Sequence, residues 1–147
     1  MQINAFYVII KLVERCNLKC SYCYYYTDEN SEVYQRPSLM GTDVLSDLLD
    51  FIEDGLSQAP VRRVVFGFHG GEPTLAKAEK VREFCRLARE RLENRVEVLF
   101  ALQTNGVHVS PEWMQLIHDE RIGVGISIDG PAQVHDRYRM HHRNRGS

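Results

Sequence analysis

Residues 61–102 read VRRVVFGFHGGEPTLAKAEKVREFCRLARERLENRVEVLFAL. The stretch begins and ends in β-branched and aromatic runs, Val61 to His69 and Val96 to Leu102, with the composition of buried strands. Between them, after a GGEPT turn, Ala78, Val81, Phe84, Cys85, Ala88 and Leu92 recur at intervals of three and four, the apolar stripe of a helix. Strand, helix and strand in that order make the unit of a parallel sheet, because parallel neighbours need a long crossover.

The same alternation extends outward in both directions. Ala5 to Val13 predicts a nearly fully buried first strand, and Leu45, Leu48, Leu49, Ile52 and Leu56 predict an amphipathic helix with Thr42 as its N-cap, ending near Ser57 to Pro60. Downstream, Ser110-Pro111-Glu112 opens a third helix with a cap and an N1 proline in their usual order. Ile122 to Ile128 predicts a fourth strand. The expectation is a single α/β domain of about four parallel strands with intervening helices, without repeats or low-complexity segments.

Composition excludes several classes. Hydrophobic residues make up 44% of the 147-residue chain and charged residues 26%, which is globular rather than disordered. The net charge of −2 argues against a general nucleic-acid binder. No apolar run approaches the ~20 residues that cross a bilayer, and no secretory leader is read, so the expected location is the cytoplasm. The segment from His135 to Ser147 carries four arginines against Asp136, a +3 patch whose Arg143 and Arg145 read as solvated.

In parallel sheets chemistry collects beyond the carboxyl ends of the strands. Four unusual clusters lie there: Cys16 to Cys23 (CNLKCSYC), His69 to Pro73 (HGGEP), Gln103 to Gly106 (QTNG) and Ser127 to Pro131 (SIDGP). They are expected to converge on one face, with His69 facing the site. The cysteines at C-x3-C-x2-C spacing admit a [4Fe–4S] cluster with one open iron, a zinc ion, or buried structural thiols. Gly70 and Gly71 allow close backbone approach, and Glu72 is either a ligand-binding acceptor or a solvated charge at the start of the second helix. Ser127, at the end of a buried strand, needs a hydroxyl partner. Asn105 either bonds a ligand or closes the turn before Gly106. Cys85 lies on the apolar stripe and reads as an inert thiol; Trp113, Met114 and Ile117 read as core, and His108, His118, His141 and His142 as surface.

Together the four clusters resemble the signature of the radical S-adenosylmethionine (SAM) superfamily. CNLKCSYCYY, with the aromatic Tyr22 inside its last C-x2-C, is similar to the cluster-binding motif, and the GGEP, QTNG and SIDGP segments, with Arg139 beyond them, match the later motifs in order. The resemblance implies the N-terminal portion of a partial (β/α)6 TIM-like barrel. It implies that Cys16, Cys20 and Cys23 hold a [4Fe–4S] cluster and that Tyr22, Gly70, Gly71, Glu72, Asn105, Ser127 and Arg139 contact SAM, Glu72 through the methionine ammonium and Arg139 through its carboxylate. The implied chemistry is reductive cleavage of SAM to a 5′-deoxyadenosyl radical that takes hydrogen from a peptide or protein, with a flavodoxin- or ferredoxin-like electron donor. The motif set is most similar to the peptide-modifying branch, which includes anaerobic sulfatase-maturating enzymes and ribosomal-peptide maturases. Against that branch, residues 1–147 are expected to be an incomplete core domain with no cysteine-rich SPASM domain, and with strand four left as an unprotected edge. A non-catalytic iron–sulfur or SAM-binding module that needs a partner, and a small zinc protein, are the competing expectations.

Overall fold

The computed structural model describes residues 3–26, 28–143 and 145–147. Four strands, β1 (Phe6–Val13), β2 (Arg63–Gly70), β3 (Glu97–Thr104) and β4 (Gly123–Ile126), form one sheet in the order β1-β2-β3-β4, every pair parallel. Helices α1 (Thr42–Gln58), α2 (Ala78–Leu92) and α3 (Pro111–Asp119) make the crossovers, and α4 (Ala132–Tyr138) follows β4. The expected α/β alternation is what forms.

The register explains the core. Val64, Phe66 and Phe68 of β2 align with Val98, Phe100 and Leu102 of β3, so their side chains share one face, and that face packs against Leu45, Leu49 and Ile52 of α1 and Val81, Phe84, Cys85 and Ala88 of α2. Phe66 meets Phe84 edge to face at 5.2 Å, and Phe68 stacks on Phe100 at 6.0 Å. Truncating such a ring to alanine costs about 3–5 kcal/mol.

The opposite face of the sheet is open, and this corrects two expectations. Tyr7 and Ile9 are 69% and 58% exposed, so β1 is buried on one face only. Its composition suits two-sided burial, but α1, α2 and α3 all pack on the other side. Likewise β4 is shorter than Ile122 to Ile128 and largely exposed: Val124 and Ile126 stand out from an outermost strand, so Ser127 does not end a buried one. Met114 also faces outward, while Trp113 and Leu116 fill the core.

Local signals at helix starts divide in the same way. Ser110 accepts from the Trp113 N–H, as its sequence predicts. Thr42 is instead the first helical residue; Gly41 holds the extended N-cap position and supplies no side-chain bond. Two elements lacked any periodic signal, the 3₁₀ segment Asp28–Gln35 and α4. Beyond α4 the chain returns to the cysteine loop: Leu18 bridges His141, Lys19 N–H donates to the Met140 carbonyl at 2.7 Å, and Ser21 N–H to that of Tyr138 at 2.9 Å. Arg143 and Arg145 stay exposed. Among the described residues no helix is long and apolar enough to cross a membrane.

Candidate cofactor-binding site

The four post-strand clusters do converge. All ten residues singled out from the sequence, Cys16, Cys20, Tyr22, Cys23, Gly70, Gly71, Glu72, Asn105, Ser127 and Arg139, line one cavity of about 220 Å³ together with His69. A second cavity, about 670 Å³, shares Cys16, Cys20 and Cys23 and extends past Tyr26, Tyr34 and His142.

The turn after β2 is built by glycine. Gly70 has φ +135°, and a Cβ there would collide with the Val13 carbonyl; one on Gly71 would strike the Tyr26 hydroxyl and the Arg15 carbonyl. This close approach lets Gly71 N–H donate to Val13 at 2.8 Å and Glu72 N–H to Arg15 at 2.9 Å, which seams the turn onto the start of the cysteine loop.

Glu72 is 1% exposed, so the solvated alternative is excluded. Its Oε1 lies 2.7 Å from both the Thr74 and Thr104 hydroxyls and accepts the Thr74 N–H at 3.1 Å; its Oε2 accepts the Asn105 N–H at 2.8 Å. The carboxyl group caps the short Pro73–Leu75 turn and not α2, whose N-cap is Lys77. Oε2, with a single protein donor, retains a lone pair. Thr74 and Thr104 carried no sequence argument, although Thr74 stands two places after the glutamate, where a capping hydroxyl is common.

Asn105 closes its turn, its Oδ1 accepting the Val107 N–H at 3.0 Å, and its amide nitrogen also bridges to Asn17 Oδ1 at 2.8 Å. Ser127 finds the partner it required in Gln103, whose amide donates to its oxygen at 2.8 Å. Arg139 Nε lies 3.1 Å from Asp129 Oδ2, to which Tyr22 donates at 2.5 Å, and its guanidinium sits 5.6 Å from the Tyr22 ring centre. Asp129 is therefore the carboxylate that engages Arg139 within the chain; its place in SIDGP, with an arginine ten residues on, was the available signal. The Tyr22 bond, with Arg139 beside it, holds Asp129 below the usual aspartate range.

The three cysteines are free and half-buried. Burial, reinforced by the charges of Glu72 and the other two cysteines and opposed by the Leu18 N–H at 3.4 Å, pushes the Cys16 thiol up to about 11; burial also raises Cys20. Burial, with Lys11 adding to it, lowers His69 and favours a neutral ring. Among the described residues no His, Cys, Asp or Glu group is already drawn together as for a single metal ion. Three free thiols lining one cavity are a donor set that fits a [4Fe–4S] group with one open iron. Cys85, by contrast, is fully buried on α2 against the sheet.

Comparison with known proteins identifies the family and the fold. The family model described as the radical SAM superfamily matches residues 10–146. The chain is 31% identical over 132 residues to a cysteine-type anaerobic sulfatase-maturating enzyme of Clostridium novyi (strain NT), covering 90% of this chain and 34% of that protein. It is 33% identical over 135 residues to a serine-type anaerobic sulfatase-maturating enzyme of Bacteroides thetaiotaomicron, covering 90% and 31%. It also superposes on the solved structure of native anSMEcpe with bound AdoMet and Kp18Cys peptide, with a TM-score of 0.79, 29% identity and coverage of 97% of this chain and 37% of that one. The chain thus spans about a third of the length of the relatives it matches.

Proposed function

Because this chain belongs to the radical SAM superfamily, we propose that Cys16, Cys20 and Cys23 hold a [4Fe–4S] cluster and that the adjoining cavity binds SAM. The observation that carries this reading is the meeting of three free thiols and a buried carboxyl group with a spare lone pair on one small cavity. Held there, the cluster would supply the single electron for reductive cleavage of SAM, the chemistry that would yield methionine and a 5′-deoxyadenosyl radical for hydrogen abstraction.

The chain's own residues bind and orient. Glu72 Oε2 accepts the methionine ammonium while its other bonds keep the carboxyl group from rotating. Ser127, having accepted from Gln103, retains its own proton to donate to the methionine carboxylate. Arg139 adds positive charge on that side, shared with Asp129. Asn105 and the glycine backbone bound the cavity, and the ring of Tyr22 flanks Arg139. A peptide or protein substrate is supported by the sulfatase-maturating relatives and the peptide in the matched structure; a small flavodoxin- or ferredoxin-like protein is proposed as the electron source.

Anaerobic reconstitution with iron and sulfide tests this. One [4Fe–4S] cluster per chain is expected by iron analysis and Mössbauer spectroscopy, lost in Cys16→Ala, Cys20→Ala and Cys23→Ala. Stoichiometric zinc with no iron uptake overturns the reading.

A further inference from the structure

Three buried side-chain nitrogen or oxygen atoms among the described residues lack a hydrogen-bond partner: Tyr26 Oη, Arg63 Nε and Arg139 Nε. Both arginine atoms at least face a carboxylate, Arg63 at 3.2 Å from Glu97 and Arg139 at 3.1 Å from Asp129. Tyr26 Oη has neither. Buried hydroxyls are as a rule hydrogen-bonded, so one held without a partner points to an acceptor supplied by a ligand.

The hydroxyl cannot turn away to find another. The Tyr26 ring stands edge-on to Tyr25 at 5.3 Å and tilts against Tyr34 at 6.0 Å, and its backbone N–H is tied to the Cys23 carbonyl at 3.2 Å. The oxygen occupies the space where a Gly71 side chain would be, and the neighbouring Arg15 carbonyl is taken by the Glu72 N–H. Tyr26 lines both cavities that Cys16, Cys20 and Cys23 line. After burial itself, the groups acting most strongly on its phenol are Cys16 and then Cys23; burial keeps that phenol protonated, so it is a donor.

We propose that the Tyr26 hydroxyl donates a hydrogen bond to a sulfur of the cluster, on the side of Cys16 and Cys23, and thereby sets the cluster's reduction potential. The inference rests on the cysteine ligation proposed above and adds a residue outside the motifs read from the sequence. One-electron reduction breaks no bond but places more negative charge on the sulfurs, which strengthens O–H···S contacts; a donor at sulfur favours the reduced form and raises the potential. Tyr26 makes the cluster easier for its electron donor to reduce.

The test is an EPR-monitored redox titration of the anaerobically loaded chain, without SAM, against Tyr26→Phe and Tyr26→3-fluorotyrosine, the latter a stronger donor of nearly the same shape. Tyr26→Phe is expected to keep its iron and shift the potential negative, and Tyr26→3-fluorotyrosine to shift it positive. If Tyr26→Phe fails to load, the sign of the fluorotyrosine shift decides alone. A potential indifferent to the substitution overturns the proposal, including the case in which only SAM affinity falls, which would assign the hydroxyl to SAM. A wild-type chain that takes up no cluster overturns this inference and the cysteine reading together; a loaded chain whose potential ignores Tyr26 overturns this inference alone.

Discussion

Glu72 and the cysteine loop face the same cavity and are held in opposite ways. Glu72 is sealed from water, with donors arriving from its own turn and from the end of β3. The three thiols are half-exposed, and the loop carrying them is positioned by backbone bonds to residues 138 and 140, by the buried Leu18, and by the turn from Cys20 to Cys23. One wall of the site is a finished polar network. The other is a cradle of three free, half-buried thiols, of which Cys16 accepts from the Leu18 N–H. The carboxyl wall therefore contributes to folding, whereas the free, half-buried thiols contribute little to it.

The most severe way to break that contrast is Glu72→Ala. It strands the Thr104 hydroxyl and the Thr74 and Asn105 backbone N–H groups, while the Thr74 hydroxyl keeps the His108 carbonyl at 3.0 Å; at about 1–3 kcal/mol for each orphan where burial persists, a loss of about 3–5 kcal/mol in unfolding free energy is expected by urea denaturation. Cys20→Ala in cluster-free protein should cost under about 1 kcal/mol, as for other partly exposed positions. Equal losses would erase the distinction.

Arg139→Ala probes the boundary between the walls, since its guanidinium joins Asp129 of the post-β4 segment to Tyr22 of the cysteine loop. Loss of a charge-assisted contact is expected to weaken SAM binding by about 10- to 150-fold, on the order of 1.5–3 kcal/mol, without loss of iron, as read by calorimetric titration. Cys85→Ala should reduce stability by about 1 kcal/mol, a small cavity in the core, and leave cluster loading unchanged. Iron loss in that variant would mean that core and site are coupled.

The smallest expected effect is pH-dependent. Asp129 is held below its ordinary range, chiefly by the Tyr22 hydroxyl and also by Arg139, so the link it makes is intact above the usual aspartate range and is lost as pH falls through the lowered value. NMR titration of the Asp129 side-chain carboxyl should show that midpoint, and Tyr22→Phe should move it upward toward the ordinary range. No movement would detach the cysteine loop from Asp129.

The physical reach of each signal explains what was legible. Period-3.6 and β-branched patterning report burial against nearest neighbours, so α2, β2 and β3 were readable, as was the Ser110 cap, whose bond spans three residues. The exposure of Tyr7 and Ile9 was not readable, because a strand's composition does not say whether helices lie on one face or both. Nor was the docking of the segment after α4 onto the cysteine loop, which pairs Leu18 with His141 across more than a hundred residues of chain.

By itself the sequence determined which chemical groups follow each strand: three thiols, two glycines and a glutamate, an asparagine, a serine and a distant arginine, because parallel topology sends every post-strand loop to the same end of the sheet. Only the tertiary structure decided how those groups are committed. That Glu72 is buried with one lone pair spare, that Arg139 already faces Asp129, and that the Tyr26 hydroxyl is left without an acceptor are results of distances between segments brought together by packing. Hydrogen bonds act over about 3 Å, and no pattern within one segment specifies which atom of another will stand at that distance.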